Sequence, residues 1–338
     1  MHSFICLVGL GALALVSLAW PLAGQLRAED PWIVFEGKDG PGKGKHIVLI
    51  VGDDEYRSEE VMPPLAKILA THHGFKCTVL FPINKETGEI DPGTLDNIPG
   101  LEALRTADLL IIFARFRELP DEQMKYIVDY INSGKPVMGL RTATHSFNYG
   151  KRKDSPYARY SYNSKDPAGG FGRAVLGETW INHYGAHQKE STRGVVAPGM
   201  ENSPIVKGCE DIWGPSDVYA ITTLPGDSKP VILGQVLVGM NPKDEVNTAK
   251  KPVPVAWIKT FTGTSGKPGR VFTTTMGHNG DLVSEGFRRL LVNAAYWCVG
   301  MEDKIPAKAT VDFVGEYKPS PIGMGKFKKG VKPADAKG

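Results

Sequence analysis

Cysteine is scarce, with four in 338 residues. Cys6 falls in an apolar leader, while Cys77, Cys209 and Cys298 are widely separated and form no CxxC pair. That excludes zinc-ribbon and thioredoxin-type centres, and three remaining thiols permit one disulfide at most. Buried apolar thiols are the expectation. Excess charge is missing too. Lys and Arg number 40 against 37 Asp and Glu, a net of +3, which is too little for a reader of phosphate backbones and excludes nucleic acid as a partner. There is no internal repeat, no HExxH, and no GxxxxGK[ST] loop following a strand. The Gly/Pro/Lys run from Gly37 to Lys45 precedes the first expected strand instead.

What is there is an ordinary globular composition, 41% hydrophobic and 23% charged, in a chain long enough to bury a full core without disulfides. Residues 1–28 read as a signal peptide: Phe4–Trp20 is apolar and uncharged, Pro21 and small residues follow, and Ala28 offers a cut. The mature chain is then exported, periplasmic or extracellular, with no stable membrane span. An uncleaved N-terminal anchor is the alternative, since this apolar run only just reaches spanning length. Residues 29–45 read as a linker, 46–300 as one domain, and 301–338 as a Lys/Pro-rich tail, extended or mobile. From Glu316 to Gly338 there are six lysines and two acids; without them and Arg27, the body Glu29–Gly315 carries −2. A mildly acidic body with local Arg and His clusters suits a neutral small-molecule carbohydrate better than a polyanion. A homo-oligomer is compatible with the sequence.

Apolar runs alternate with helical patterns. HIVLIVGDD, FKCTVLF, ADLLIIFAR and Lys135–Ala143 read as buried strands; Pro63–His73 and LPDEQMKYIVDYINSG read as helices closed by Gly74 and Gly134. The alternation predicts an α/β fold: a doubly wound, mainly parallel sheet flanked by helices, flavodoxin-like, with ligands at the carboxyl ends of the strands. Phe147–Glu190 lacks a period and reads as a binding loop or lid. STRGVVA, DVYAITT, ILGQVLV, VPVAWIKTF and GRVFTTT add a β-rich C-terminal portion before the closing helix SEGFRRLLVNAAYWCV.

The candidate chemistry sits at the strand ends. Asp54, Glu55 and Arg57 follow the first strand, where carboxylates beside an arginine can act as acid and base, hold a sugar hydroxyl, or cap the next helix. Arg115 and Arg117 flank Phe116 and can clamp a ligand or pair with those acids. Arg141, Thr144 and His145 follow the fourth strand. Glu178, Trp180, His183, Tyr184 and His187 form the densest cluster; His183 and His187 are four apart, although Gly185 between them argues against a helix. His278, between Gly277 and Asn279, is placed to meet a ligand. No cofactor is expected. A divalent metal on His183, His187, His278 and Glu178 is the alternative, and aromatic stacking by Trp180, Tyr184, Tyr160 and Tyr162 would suit a non-catalytic glycan binder.

The runs IVGDDEYRSEE, GLRTATHSF, GETWINHYGAHQKESTRG, PVAWIKTF, GRVFTTTMGHNG and FRRLLVNAAYWC resemble the ThuA-like (trehalose-utilisation) family over about Lys45–Gly300. The resemblance implies a class I glutamine amidotransferase-like fold and a role in disaccharide catabolism, including routes through 3-keto sugars. Amidotransferases centre a G-x-C-x-G elbow on cysteine and use a His-x-Glu; here Arg141 stands at the centre of Gly139–Ala143, and Asn279-Gly280 follow His278. Glutamine hydrolysis is therefore not expected. The matched positions imply His145, His183, His187 and His278 as acid–base groups, and strand-end geometry adds Asp54 and Glu55. Arg57, Arg115, Arg117, Arg141, Thr144, Glu178, Trp180, Tyr184 and Asn279 are the expected substrate contacts.

Overall fold

His46–Gly52 (β2) is buried on both faces along nearly its whole length, the signature of a central strand covered on two sides. The computed structural model describes residues 1–2, 30–221, 224 and 226–337. The expected signal peptide therefore lies, apart from its first two residues, outside the described residues. Among the described residues no helix is long and apolar enough to cross a membrane.

One mixed sheet of ten strands organises the α/β fold. Lys76–Leu80 (β3), β2, Leu109–Ala114 (β4), Val137–Leu140 (β5) and Pro268–Thr274 (β10) are parallel neighbours in that order. Trp32–Phe35 (β1) closes one edge antiparallel to β3. Beyond β10 the order continues antiparallel through Val253–Thr262 (β9), Lys229–Val236 (β8), Thr192–Val196 (β6) and Trp213–Gly214 (β7). The expected β-rich portion thus extends the same sheet. Alternate residues of β2 divide the core: Ile47, Leu49 and Val51 pack with Ser58–His73 (α1) and Glu285–Cys298 (α3), while Val48 and Ile50 pack with Asp121–Asn132 (α2).

Several elements differ from the sequence pattern. The linker 29–45 contains β1, whose partner lies more than 40 residues away and leaves no local trace. The first helix starts at Ser58, before Pro63. The fourth strand stops at Leu140; Arg141 takes φ 46, and Arg141–His145 forms a 3-10 turn. The described part of DVYAITT, residues 217–221, forms no extended strand and makes one isolated bridge, Tyr219 to His183. Cys77, Cys209 and Cys298 are free thiols.

The tail is extended but held. Arg57 donates from Nε to Pro321 O at 3.2 Å and from Nη2 to Gly323 O at 2.7 Å, and Asn279 Nδ2 donates to Ser320 O at 2.8 Å. Beneath it lies Glu59, whose two buried carboxylate oxygens have no hydrogen-bond partner. Burial pushes its pKa up to about 8, and Arg57 at 3.5 Å offsets only part of this. A carboxyl raised on folding contributes stability that is intact below its unfolded value and is lost as pH rises through the folded one. Glu59→Gln, which mimics the protonated form, should match the wild type at pH 4 and exceed it by about 4 kcal/mol at pH 8. Urea unfolding at the two pH values checks this; a difference that does not grow with pH would refute it.

Candidate functional site

The carboxyl ends of β2, β4, β5 and β10 converge on one buried acid that the strand-end pattern did not single out. Asp217, 2% exposed, accepts from Arg141 Nη2 at 2.8 Å and His187 Nδ1 at 2.9 Å on Oδ1, and from His183 Nδ1 at 2.5 Å on Oδ2. Burial alone would raise its pKa; Arg141 and the two imidazoles outweigh that and hold it well below the ordinary carboxylate range. Arg141 is fully buried between the rings of Tyr56 at 4.3 Å and Tyr219 at 4.1 Å, and also donates to Asp217 O and Thr275 O. Its left-handed φ turns the chain at the end of β5, so that the guanidinium lies under the site.

The fixed acid dictates the state of the histidines. A carboxylate only accepts, so His187 donates from Nδ1, and in its neutral form the lone pair is at Nε2, where the Gln188 amide approaches to 3.2 Å and Glu55 Oε1 to 3.4 Å. The Asp217 hydrogen bond raises the His187 pKa against the opposing effect of burial. His278 is arranged the other way. Gly280 N donates to its Nδ1 at 2.7 Å, and burial, with Arg141 next, lowers its pKa to about 3. Both rings lie 6.0 Å from the Tyr56 ring. Tyr56, His187, Ser216, Asp217, His278 and Lys326 line a cleft of about 420 Å³, with Pro321 and Ile322 of the tail forming a further wall. That volume suits a small polar ligand.

Donor atoms of His183, His187 and Asp217 lie within 4.8 Å of one another, the one such group among the described residues. Each close contact within it is a hydrogen bond, and Arg141 already supplies a cation to Asp217. A second positive charge placed there would face that guanidinium at short range in a poorly solvated setting.

The ThuA family model, described as trehalose utilisation, matches residues 48–298. The chain belongs to the ThuA family. Solved ThuA-like proteins resemble it in shape. One from Parabacteroides merdae ATCC 43184 gives a TM-score of 0.48 at 13% identity, covering 80% of this chain and 94% of that one. Another from Bacteroides uniformis ATCC 8492 gives 0.46 at 16%, covering 77% and 93%. No curated protein matches the chain in sequence.

Within this ThuA-family fold the expected site residues divide. Arg115 lies beside the cluster, pairing with Asp54 at 3.0 Å and Glu55 at 2.5 Å. His145 is buried behind it, its ring 5.5 Å from Trp180 and its Nδ1 3.1 Å from Thr144 Oγ1; burial drives its pKa well below the ordinary value. Trp180 reaches His183, with ring centroids 5.9 Å apart. Others turn away. Arg117 is spent on the carbonyls of Arg115, Thr94 and Pro92. Arg57 and Asn279 anchor the tail, the latter also donating to Glu60. Glu178 accepts from Arg173 Nε at 2.6 Å and from Thr179 N, not from a histidine. Tyr184 packs on the core with Lys250 over its ring at 5.8 Å. Trp180 and Tyr184 therefore do not make one stacking platform. Asp217 was missed because it opens an apparent strand, and the acids nearest the two histidines in sequence, Glu178 and Glu190, pair instead with Arg173 and Lys250.

Proposed function

We propose that this ThuA-family protein is an exported carbohydrate-active enzyme, working on a disaccharide or an oxidised, 3-keto sugar by imidazole acid–base chemistry. The observation that carries the reading is the shared carboxylate: Asp217 binds Nδ1 of both His183 and His187, which orients the rings and leaves Nε2 of His187 as a base at the cleft wall. The parallel half of the sheet, read as a doubly wound, amidotransferase-like scaffold, supports a site at these strand ends. At the centre of the expected nucleophile elbow stands Arg141, already committed to Asp217, so glutaminase chemistry has no nucleophile there. The apolar leader supports export.

Screening the purified mature chain against disaccharides and their 3-keto derivatives tests the proposal. Turnover should fall about 10²- to 10⁴-fold in His187→Gln with ligand affinity retained, and dialysis against a chelator should leave the wild-type rate unchanged. Unaltered turnover in the variant would refute the acid–base role. Activity lost to the chelator and restored by a divalent ion would replace it with metal-dependent hydrolysis.

A further inference from the structure

His187 and His278 face one cleft in opposite tautomers. His187 donates its Nδ1–H to Asp217, so in the neutral ring its Nε2 is an acceptor. His278 receives the Gly280 N–H at Nδ1, so its own proton sits on Nε2. Among the described residues no hydrogen-bond partner meets that Nε2. Tyr56, packed against both rings, holds them on either side of one wall. Asp217, Glu55 and Arg141 surround His187, with the His183 ring 5.0 Å from its own, while Arg141, Asp217, His187 and Arg57 surround His278.

Resting on the acid–base reading above, we infer that the cleft enolises its ligand: His187 takes a proton from the carbon beside a carbonyl whose oxygen is held by His278 Nε2–H. The substrate class is then a polyhydroxy ketone, a ketose or keto sugar, and not an unoxidised glycoside. A histidine kept neutral cannot deliver a proton as imidazolium; it can donate a fixed hydrogen bond to an oxygen that becomes negative, which is the requirement of an enolate. Direct glycoside hydrolysis asks for two carboxylates flanking the bond. The cleft wall presents one, Asp217, and its oxygens are already taken by Arg141, His183 and His187. Ser216 adds to the case. Its Oγ is buried at this wall without a partner, and a ligand hydroxyl would supply one.

The step balances within the ligand and one imidazole. The C–H bond breaks, its electron pair forms the C=C bond, and the carbonyl π pair moves onto oxygen beside His278. The proton held on His187 Nε2 then returns in one of two ways: to the former carbonyl carbon, while the α-hydroxyl proton passes to the enolate oxygen and the C=O bond forms at the α carbon, giving an isomer; or to an oxygen substituent that leaves the β carbon with its bonding pair as the enolate collapses to an α,β-unsaturated ketone, giving elimination.

The test uses the full mature chain, with D-fructose, L-sorbose and a methyl 3-ketoglucoside as probes in D₂O, and ¹⁵N-histidine NMR as a readout separate from turnover. Exchange of the α proton should exceed the buffer rate by about 100-fold or more with at least one probe, and His187→Gln should lose it. His278→Phe should lose exchange as well, and His278→Gln, which restores an N–H donor, should recover part of it. At pH 7 the spectrum should show His278 neutral and protonated at Nε2. An imidazolium or an Nδ1–H tautomer at His278 overturns the inference. Cleavage of an unoxidised disaccharide with no exchange in any keto probe also overturns it while leaving the acid–base reading intact; no turnover of any sugar removes both.

Discussion

Asp217→Asn is expected to lower kcat/KM by about 10³- to 10⁴-fold, the scale seen when a carboxylate that fixes a catalytic imidazole becomes an amide. Asp217 accepts from three donors through two oxygens. An asparagine can still accept from Arg141 and one imidazole through its single oxygen, but its amide nitrogen can only donate. The imidazole that must turn over or switch tautomer is His183, on the other oxygen, while His187, which shares Oδ1 with Arg141, loses the negative charge that supports it as a base. The pH profile should change with it. In the wild type the Asp217 hydrogen bond raises the His187 pKa, so the neutral, base-competent form grows in as pH rises through a value above the ordinary one for histidine. In the variant that inflection should move to lower pH. Initial rates from pH 5 to 9, with thermal melts to show that the fold persists, make the comparison. A loss under tenfold, or an unmoved inflection, would refute the assignment.

The parallel strands were legible because each is a short apolar run ending at Gly, Pro or charge, and burial on both faces demands that pattern. The gathering of charged and imidazole side chains at strand ends was legible for the same topological reason: Arg115, Arg141 and His278 follow β4, β5 and β10, and His183 and His187 join Arg141 through Asp217. Direction was not. Arg57, Arg117 and Asn279 occupy the expected chain positions, yet their donors turn back onto backbone carbonyls. Whether a guanidinium faces ligand or chain depends on which carbonyls the surrounding loops leave unpaired, and those loops come from sequence 20 to more than 260 residues away. The tail illustrates this best. Its Lys/Pro-rich composition suggested an extended or mobile segment, whereas its backbone supplies the acceptors that Arg57 needs, and Pro321 and Ile322 become part of the cleft.

Arg141 is the residue on which both stability and site geometry depend, and its removal should show in unfolding. Arg141→Met keeps the length and apolar stem, but leaves Asp217 buried without its cation, and the carbonyls of Asp217 and Thr275 without their donor. Breaking a buried pair from one side costs about 3–5 kcal/mol, and Met gains nothing from the left-handed backbone at this position. The loss should therefore exceed that of Asp217→Asn, where the guanidinium keeps two carbonyls and the faces of Tyr56 and Tyr219. The double variant gives the sharper result. With the carboxylate at position 217 already replaced by a neutral amide, taking away Arg141 no longer strands a charge. Arg141→Met should then cost at least about 1 kcal/mol less in the Asp217→Asn background than in the wild type. Urea denaturation of the four proteins closes the cycle. Additive losses would mean that Arg141 acts through packing alone, and that Asp217 is held anionic by something other than this pair.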